Sequence, residues 1–271
     1  MASAASALEI KFKEIKMDKV PFAGGGFGQV YRAKWNKNPV VIKVFSAGSE
    51  DEKEKIIYEA VLTLRLSHPN VIKLFGITRV RSIGLGIVME EAEHGSLEKW
   101  VGQIHGDKLT TLALGIIDGL TYVHSQHVIH RDIKPHNILM FGSSDDMIPK
   151  IADFGVSKLI EAVVMTHSRV GGELYMAPEV SVFGKHSGYP ADIYSLALTL
   201  FEMFNEQLVQ NSTEEIRTFI YGVRCGKKLG IPRSCKVPEY LCSIIIGGLD
   251  QDPEKRPSLS DYHRSIIHGL T

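Results

Sequence analysis

His130-Arg131-Asp132-Ile133-Lys134-Pro135-His136-Asn137 is the stretch that decides how this chain folds. A carboxylate, a cation and a carboxamide stand two and three residues apart, directly after a long segment with helical apolar spacing. Moving a phosphoryl group from a nucleotide to a hydroxyl needs those three groups near one another. A carboxylate must orient the attacking hydroxyl and take its proton. A cation must offset charge on the moving group, and an oxygen ligand must hold a magnesium ion against the other phosphates. Pro135 fixes one backbone dihedral and favours an ordered loop over a helix.

The 271 residues suffice for one large domain or two small lobes with a sizeable core. A hydrophobic share of 44% with 23% charged residues is that of a soluble globular protein. The net charge of zero offers no footprint for nucleic acid or an anionic membrane as a partner. Cys225, Cys235 and Cys242 have no C-x-x-C spacing, which argues against a disulfide framework or a zinc site and suits a reducing, cytoplasmic compartment. The apolar runs fall short of a membrane span. The opening Met1-Ala2-Ser3-Ala4-Ala5-Ser6-Ala7 lacks the basic start and apolar core of a secretory signal. Asn211-Ser212-Thr213 matches a glycosylation acceptor but reads better as a helix start.

Residues 1 to about 16 read as a frayed leader entering a strand. From Phe22 to Ala33 a glycine cluster is flanked by β-favouring residues, so a hairpin is expected. Without a Gly-Lys-Ser/Thr, a Walker-type phosphate loop is excluded. By itself the cluster fits a plain flexible turn as well as a phosphate cradle. Val40-Val41-Ile42-Lys43 is a β-branched run ending in a lysine, which is costly on a buried strand unless paired. Ser49-x-x-Glu52 looks like a capping box opening a helix that carries Glu59. Taken singly, Lys43 and Glu59 read as a surface lysine and an ordinary helix glutamate. Val71 to Gly76 and Ile83 to Glu90 read as two further strands. Gly95-Ser96 should cap a short helix carrying Leu97, Trp100 and Val101. Leu109, Leu112, Ile116, Leu120 and Val123 recur at helical spacing and predict a long helix with one buried face. Gly142 to Asp146 is a turn-rich insertion between two short strands. In Ile151-Ala152-Asp153-Phe154-Gly155, Asp153 is a hard oxygen ligand suited to magnesium. Asp192 to Phe204 is almost wholly apolar and predicts a buried central helix. Ser212-x-x-Glu215 reads as another capping box.

These motifs resemble the catalytic domain of the eukaryotic protein kinases, with His130 to Asn137 matching the catalytic loop. Lys134-Pro135 has the serine/threonine form, and Glu93-His94-Gly95-Ser96-Leu97 resembles the tyrosine-kinase-like branch. The match runs over roughly residues 18 to 269. It implies an α+β, two-lobed kinase fold within one domain. A small antiparallel β-rich N-lobe with one main helix would occupy about 1 to 91. A larger, mainly helical C-lobe would occupy about 92 to 271, with nucleotide in the cleft between. The implied activity is transfer of the γ-phosphoryl group of ATP to serine or threonine of a protein substrate. The implied metal is magnesium, for which manganese can substitute.

By the same resemblance Asp132 is the proton acceptor, and Lys134 and Lys43 steady phosphoryl charge. Asn137 and Asp153 hold the metal. Ala23, Gly24, Gly25, Gly28 and Val30 form the glycine-rich loop, and Val41 lines the nucleotide site. Glu59 pairs with Lys43, at the family's spacing. Met89 becomes the gatekeeper, a role compatible with that of a flexible core filler. Glu90 and Ala92 offer backbone groups to the base, and Leu139 lies under the adenine ring. Asp192 anchors the catalytic loop, and Arg256 pairs with Glu179. The interval from Gly155 to Ala177 has the length of an activation loop, with Ser157, Thr166 and Ser168 as phosphate acceptors, Thr166 or Ser168 preferred, and Arg131 as their cation. The chain departs from the pattern at Ala23, Thr63, Gly172 and Ala197. The first three leave room for a pseudokinase acting as a nucleotide-binding switch or scaffold; Gly172 also leaves room for a tyrosine or dual-specificity kinase. No motif assigns an oligomeric state.

Overall fold

The computed structural model describes residues 8–25, 28–45, 49–80, 83–154, 174–181 and 188–269. The chain divides into two compact units, Met1–Glu93 with Asp153–Ser168, and His94–Ala152 with Arg169–Thr271.

The first unit is built on an antiparallel sheet. Its strands are β1 (Ile15–Met17), β2 (Ala23–Gly25), β3 (Gly28–Trp35), β4 (Asn38–Phe45), β5 (Leu74–Val80) and β6 (Gly84–Glu90). They run in the order β1-β3-β4-β6-β5, and β2 folds back on β3 as the glycine hairpin. Alternation along a strand sends neighbours to opposite faces. Val40, Ile42 and Val44 of β4 therefore pack with Tyr31, Ala33 and Val88 on one face. On the other, Phe45, Leu85, Ile87 and Ile77 pack against Ile56 and Ala60 of helix α1 (Glu50–Thr63).

Two expectations need correction here. The leader is not frayed from Leu8 onward. Ile10 N donates to Ile77 O at 2.7 Å, Ile77 N donates to Leu8 O at 3.0 Å, and Glu9 bridges Ile77 in parallel. Ile10 and Ile15 are buried in the first core, so apolar burial ties this segment down. Gly76 is required for the approach, because a Cβ there would lie 2.5 Å from Leu8 O. The fifth strand starts at Leu74, not Val71. Val71 and Ile72 are buried, but Val71 N closes a turn onto His68 O, and burial alone does not mark a strand. The capping box at Ser49 rests on the Glu52 side chain, which lies outside what is described.

The second unit holds a two-stranded ribbon, β7 (Ile138–Gly142) and β8 (Met147–Ile151), joined by the expected turn-rich insertion. Its helices are α2 (Gly106–Ser125), α3 (Pro178–Ser181), α4 (Tyr189–Phe204), α5 (Glu214–Arg224), α6 (Glu239–Gly248) and α7 (Leu259–His268). Leu109, Leu112, Ile116, Leu120 and Val123 are all buried, as the periodicity requires. On α4 every residue from Ala191 to Phe204 is buried. Leu97–Trp100 forms a 3-10 turn rather than an α-helix, and the Ser96 side chain makes no capping bond. The cap of α5 is Thr213, not Ser212. Its side chain accepts from Ile216 N, whereas the buried Ser212 hydroxyl donates to Val209 O at 2.7 Å. Asp252 caps the 3-10 turn Pro253–Lys255, and Ser258 with Asp261 forms a capping box that opens α7. Among the described residues no helix is long and apolar enough to cross a membrane.

Candidate active site

In the second unit α2 ends at Ser125, and the chain turns through His127 at φ +58° before entering the catalytic stretch. Asp192 of α4 anchors that stretch as expected. Its carboxylate accepts from His130 N at 2.8 Å and from Arg131 N at 2.7 Å, and His124 Nε2 lies 2.9 Å away. Arg131 takes φ +69°, a conformation L residues rarely adopt, and the two bonds to Asp192 hold the backbone there. The fully buried His130 ring adds a second brace. Its Nδ1 accepts from Asp132 N at 3.2 Å, so its proton sits on Nε2, which donates to Ala152 O at 3.0 Å.

These braces present the three groups read from the sequence. Asn137 Nδ2 donates to Asp132 Oδ2 at 2.7 Å and to Asp132 O at 2.8 Å. Lys134 Nζ lies 2.9 Å from the same Asp132 Oδ2. Pro135–Asn137 form a 3-10 turn, closed by Asn137 N donating to Lys134 O, which folds Lys134 and Asn137 back onto Asp132. Because Asn137 spends its amide nitrogen on Asp132, its amide oxygen is the atom suited to a hard cation. Leu139 follows on β7, half-buried and bridged to Ser96.

In the first unit the strand register gathers the other expected residues. Ala23 pairs Val30, Val30 pairs Lys43, and Val41 pairs Met89. Directly paired and alternate residues share a face, so Ala23, Val30, Val41, Lys43 and Met89 lie on one side of the sheet. Lys43, largely buried, forms an ion pair with Asp153. Asp153 adopts φ +66°. Gly28 takes φ +140°, and a Cβ there would meet Val44 O at 2.4 Å, so only glycine fits. Ala23 sits in paired strand backbone, where alanine is tolerated, and Gly24 and Gly25 complete the hairpin. Glu90 closes β6. Its N–H donates to Lys73 O at 3.1 Å and its carboxylate accepts from Lys73 N at 2.7 Å. Ala92 lies just past β6, half-buried. The Glu59 side chain, together with Gly155, Ser157, Thr166, Ser168 and Gly172, lies outside what is described. Thr63 is buried as the last residue of α1.

Several contacts escaped the sequence. His136 Nε2 pairs with Glu98 Oε1 at 2.8 Å beside the catalytic stretch. Burial holds the His136 imidazole below its ordinary pKa, with Glu98 pulling the other way. Tyr175 donates its hydroxyl to the fully buried Glu202 at 2.7 Å. The Arg256–Glu179 pair, which was expected, is bidentate, with both N···O distances 2.7 Å. Histidine adjacency and long-range pairing leave no periodic trace, so no local signal could have found the first two.

The sequence matches the protein kinase domain over residues 22–266. It is 31% identical to mitogen-activated protein kinase kinase kinase 10 of Xenopus laevis, covering 97% of this chain and 27% of that protein. It is 34% identical to serine/threonine-protein kinase VIK of Arabidopsis thaliana, covering 95% of this chain and 61% of that protein. It is 32% identical to dual specificity protein kinase shkE of Dictyostelium discoideum, covering 97% of this chain and 38% of that protein. The chain thus spans between about a quarter and three fifths of these relatives' lengths. With strand order, catalytic-loop contacts and sequence match in agreement, the chain belongs to the protein kinase domain family.

Proposed function

We propose that this chain is an ATP-dependent protein kinase that phosphorylates serine or threonine side chains of a protein acceptor, with magnesium as its divalent metal. The observation that carries this is the convergence of Asn137 and Lys134 on one oxygen of Asp132. In this reading Asp132 aligns the acceptor hydroxyl and takes its proton. Lys134, whose ammonium is beside that carboxylate, offsets charge on the transferring group. Lys43 holds nucleotide phosphate, and its pairing with Asp153 keeps a lysine on a packed sheet from being an uncompensated charge. The Asn137 amide oxygen and the Asp153 carboxylate are the hard oxygen donors that magnesium prefers. When bound, that ion neutralises phosphate charge. Thr166 and Ser168 are proposed as regulatory phosphate acceptors.

Incubation of the protein with Mg-ATP, read by intact mass and site mapping, tests this. The wild type should incorporate phosphate on serine or threonine. Asp132→Asn should lose about 100- to 10,000-fold in turnover while still binding nucleotide. Undiminished transfer by Asp132→Asn would remove Asp132 from the chemistry. Nucleotide binding with no transfer by the wild type would mark a switch or scaffold instead.

A further inference from the structure

The sheet of the first unit carries a groove of about 270 Å³ that the nucleotide reading leaves unused. Lys16, Asp18, Arg32, Lys34, Pro39 and Glu91 line it, all within Met1–Glu93. The strand register builds it. Lys16 of β1 pairs directly with Lys34 of β3, and Lys34 pairs with Pro39 of β4. Arg32 stands two residues before Lys34 and so shares its face. Asp18 N donates to Arg32 O at 2.9 Å, which sets Asp18 beside Arg32. Pro39 lies four strand positions from Lys43, about 13 Å along β4. The groove is therefore separate from the phosphate site given to Lys43.

Like charges directly opposite one another on a sheet repel, so the Lys16–Lys34 pair costs stability. An edge lysine deters stray strand pairing, which accounts for Lys16. Lys34 is on β3, between β1 and β4, and has no such use. Neither ammonium has an ionic partner among the described residues. Arg32 is held more firmly. Its guanidinium carbon lies 4.4 Å from the centre of the Phe22 ring, and its Nε donates to Glu91 Oε1 at 2.9 Å. The stack and the bond fix the guanidinium plane, and Nη1 and Nη2 have no partner among the described residues. A fixed guanidinium with both of these nitrogens open is suited to a two-point grip on a phosphate. The Asp18 carboxylate also has no partner among the described residues.

We propose that this groove binds the phosphoserine or phosphothreonine side chain of a peptide segment. Arg32 Nη1 and Nη2 and the two ammonium groups take the phosphate oxygens, and Asp18 accepts a peptide N–H. The volume suits one modified residue, because pockets for drug-sized ligands begin at about 300 Å³. The carboxylates of Asp18 and Glu91 repel a polyphosphate or a nucleic acid strand, which would bring charge to every part of the groove. The assignment goes beyond the kinase reading and does not depend on it.

NMR titration of the isotope-labelled chain tests it, at low ionic strength so that the charges are not screened. The probes are the peptide Gly-Gly-phosphoserine-Gly-Gly, its unphosphorylated twin and inorganic phosphate. The phosphopeptide should shift the amides of Lys16, Arg32 and Lys34 saturably. Lys16→Gln combined with Lys34→Gln should weaken its binding about tenfold or more, as should Arg32→Gln, because charged hydrogen bonds are lost. The double variant removes a repulsion, so its Tm should equal or exceed that of the wild type, which separates lost binding from lost fold. If Arg32→Gln fails to fold, the double variant decides. The twin should leave these amides unmoved. Inorganic phosphate should bind more weakly than the phosphopeptide, having no peptide N–H for Asp18. No saturable shift at these amides, or equal affinity in the double variant, would overturn the site. A double variant that melts lower would overturn the repulsion on which the site rests. Equal binding of the twin would overturn phosphate recognition, and phosphate binding as tight as that of the phosphopeptide would overturn the peptide as its source.

Discussion

At the residue scale, Glu202 is the most telling group. Burial pushes its pKa up to about 7, and the hydrogen bonds from Val209 N and Tyr175 offset only part of that. In the unfolded chain the group titrates near 4.5. Between those values the folded state keeps a proton that the unfolded state releases. Its contribution to stability is therefore fully present below pH 4.5 and lost as pH rises through 7. Glu202→Gln can keep both bonds, accepting from Val209 and donating to the Tyr175 oxygen, without a charge. The variant should gain stability relative to the wild type between pH 4.5 and 7 in thermal melts. Parallel melting curves across that range would show that Glu202 is not the titrating group. Thr78 makes a simpler case. It is buried, and its hydroxyl has no hydrogen-bond partner among the described residues. Thr78→Val keeps the shape and removes the stranded group. Urea denaturation should show a gain of about 1 kcal/mol. Neither residue stood out in the sequence, because a buried polar atom is defined by what surrounds it.

At the scale of elements, the Arg256–Glu179 pair joins the turn before α7 to α3 and the start of α4. Arg256 also donates to Asp250 O at 2.9 Å and Pro190 O at 2.8 Å, and its side chain is 1% exposed. Removing one partner of so buried a pair strands the other charge, at about 3–5 kcal/mol. Arg256→Met should show that loss in chemical denaturation. Adding Glu179→Leu should restore a good part of it. A double variant no more stable than the single would mean the carbonyl bonds, not the ion pair, dominate. This pairing was legible from family resemblance alone. The buried polar stripe of α4, Asp192, Ser195, Thr199 and Glu202, was not, because four polar residues spread over three turns of an apolar segment read as a buried helix. The cap of α5 was misread for a related reason. Ser212 and Thr213 are both competent caps, and only the burial of Ser212 under Val209 selects its neighbour.

For the whole molecule, the testable property is linkage between nucleotide and stability. A ligand that binds the folded chain at 100 times its Kd adds about 2.7 kcal/mol. Mg-ATP should thus raise Tm by several degrees, and ATP with EDTA by less. Asp153→Asn should abolish most of the difference between those two conditions. Equal shifts with and without metal in the wild type would remove Asp153 as a metal ligand. The same comparison on Asp132→Asn should leave the metal-dependent shift in place, which separates binding from chemistry.

Local sequence by itself determined the catalytic stretch, the glycine hairpin, the long helices α2 and α4, and the lysine on β4. Each depends on residues within a few turns of one another, where spacing, φ restriction and strand alternation act directly. Only the tertiary structure decided that Leu8–Ile10 would line β5, that β5 would begin at Leu74, and that Tyr175 would meet Glu202. It alone brought Arg224 to the carbonyls of Met176 and Leu174, 48 and 50 residues away. Such contacts are chosen by which buried polar groups can satisfy one another once the apolar core has closed. Desolvation enforces that choice in three dimensions, and it leaves no period in the chain.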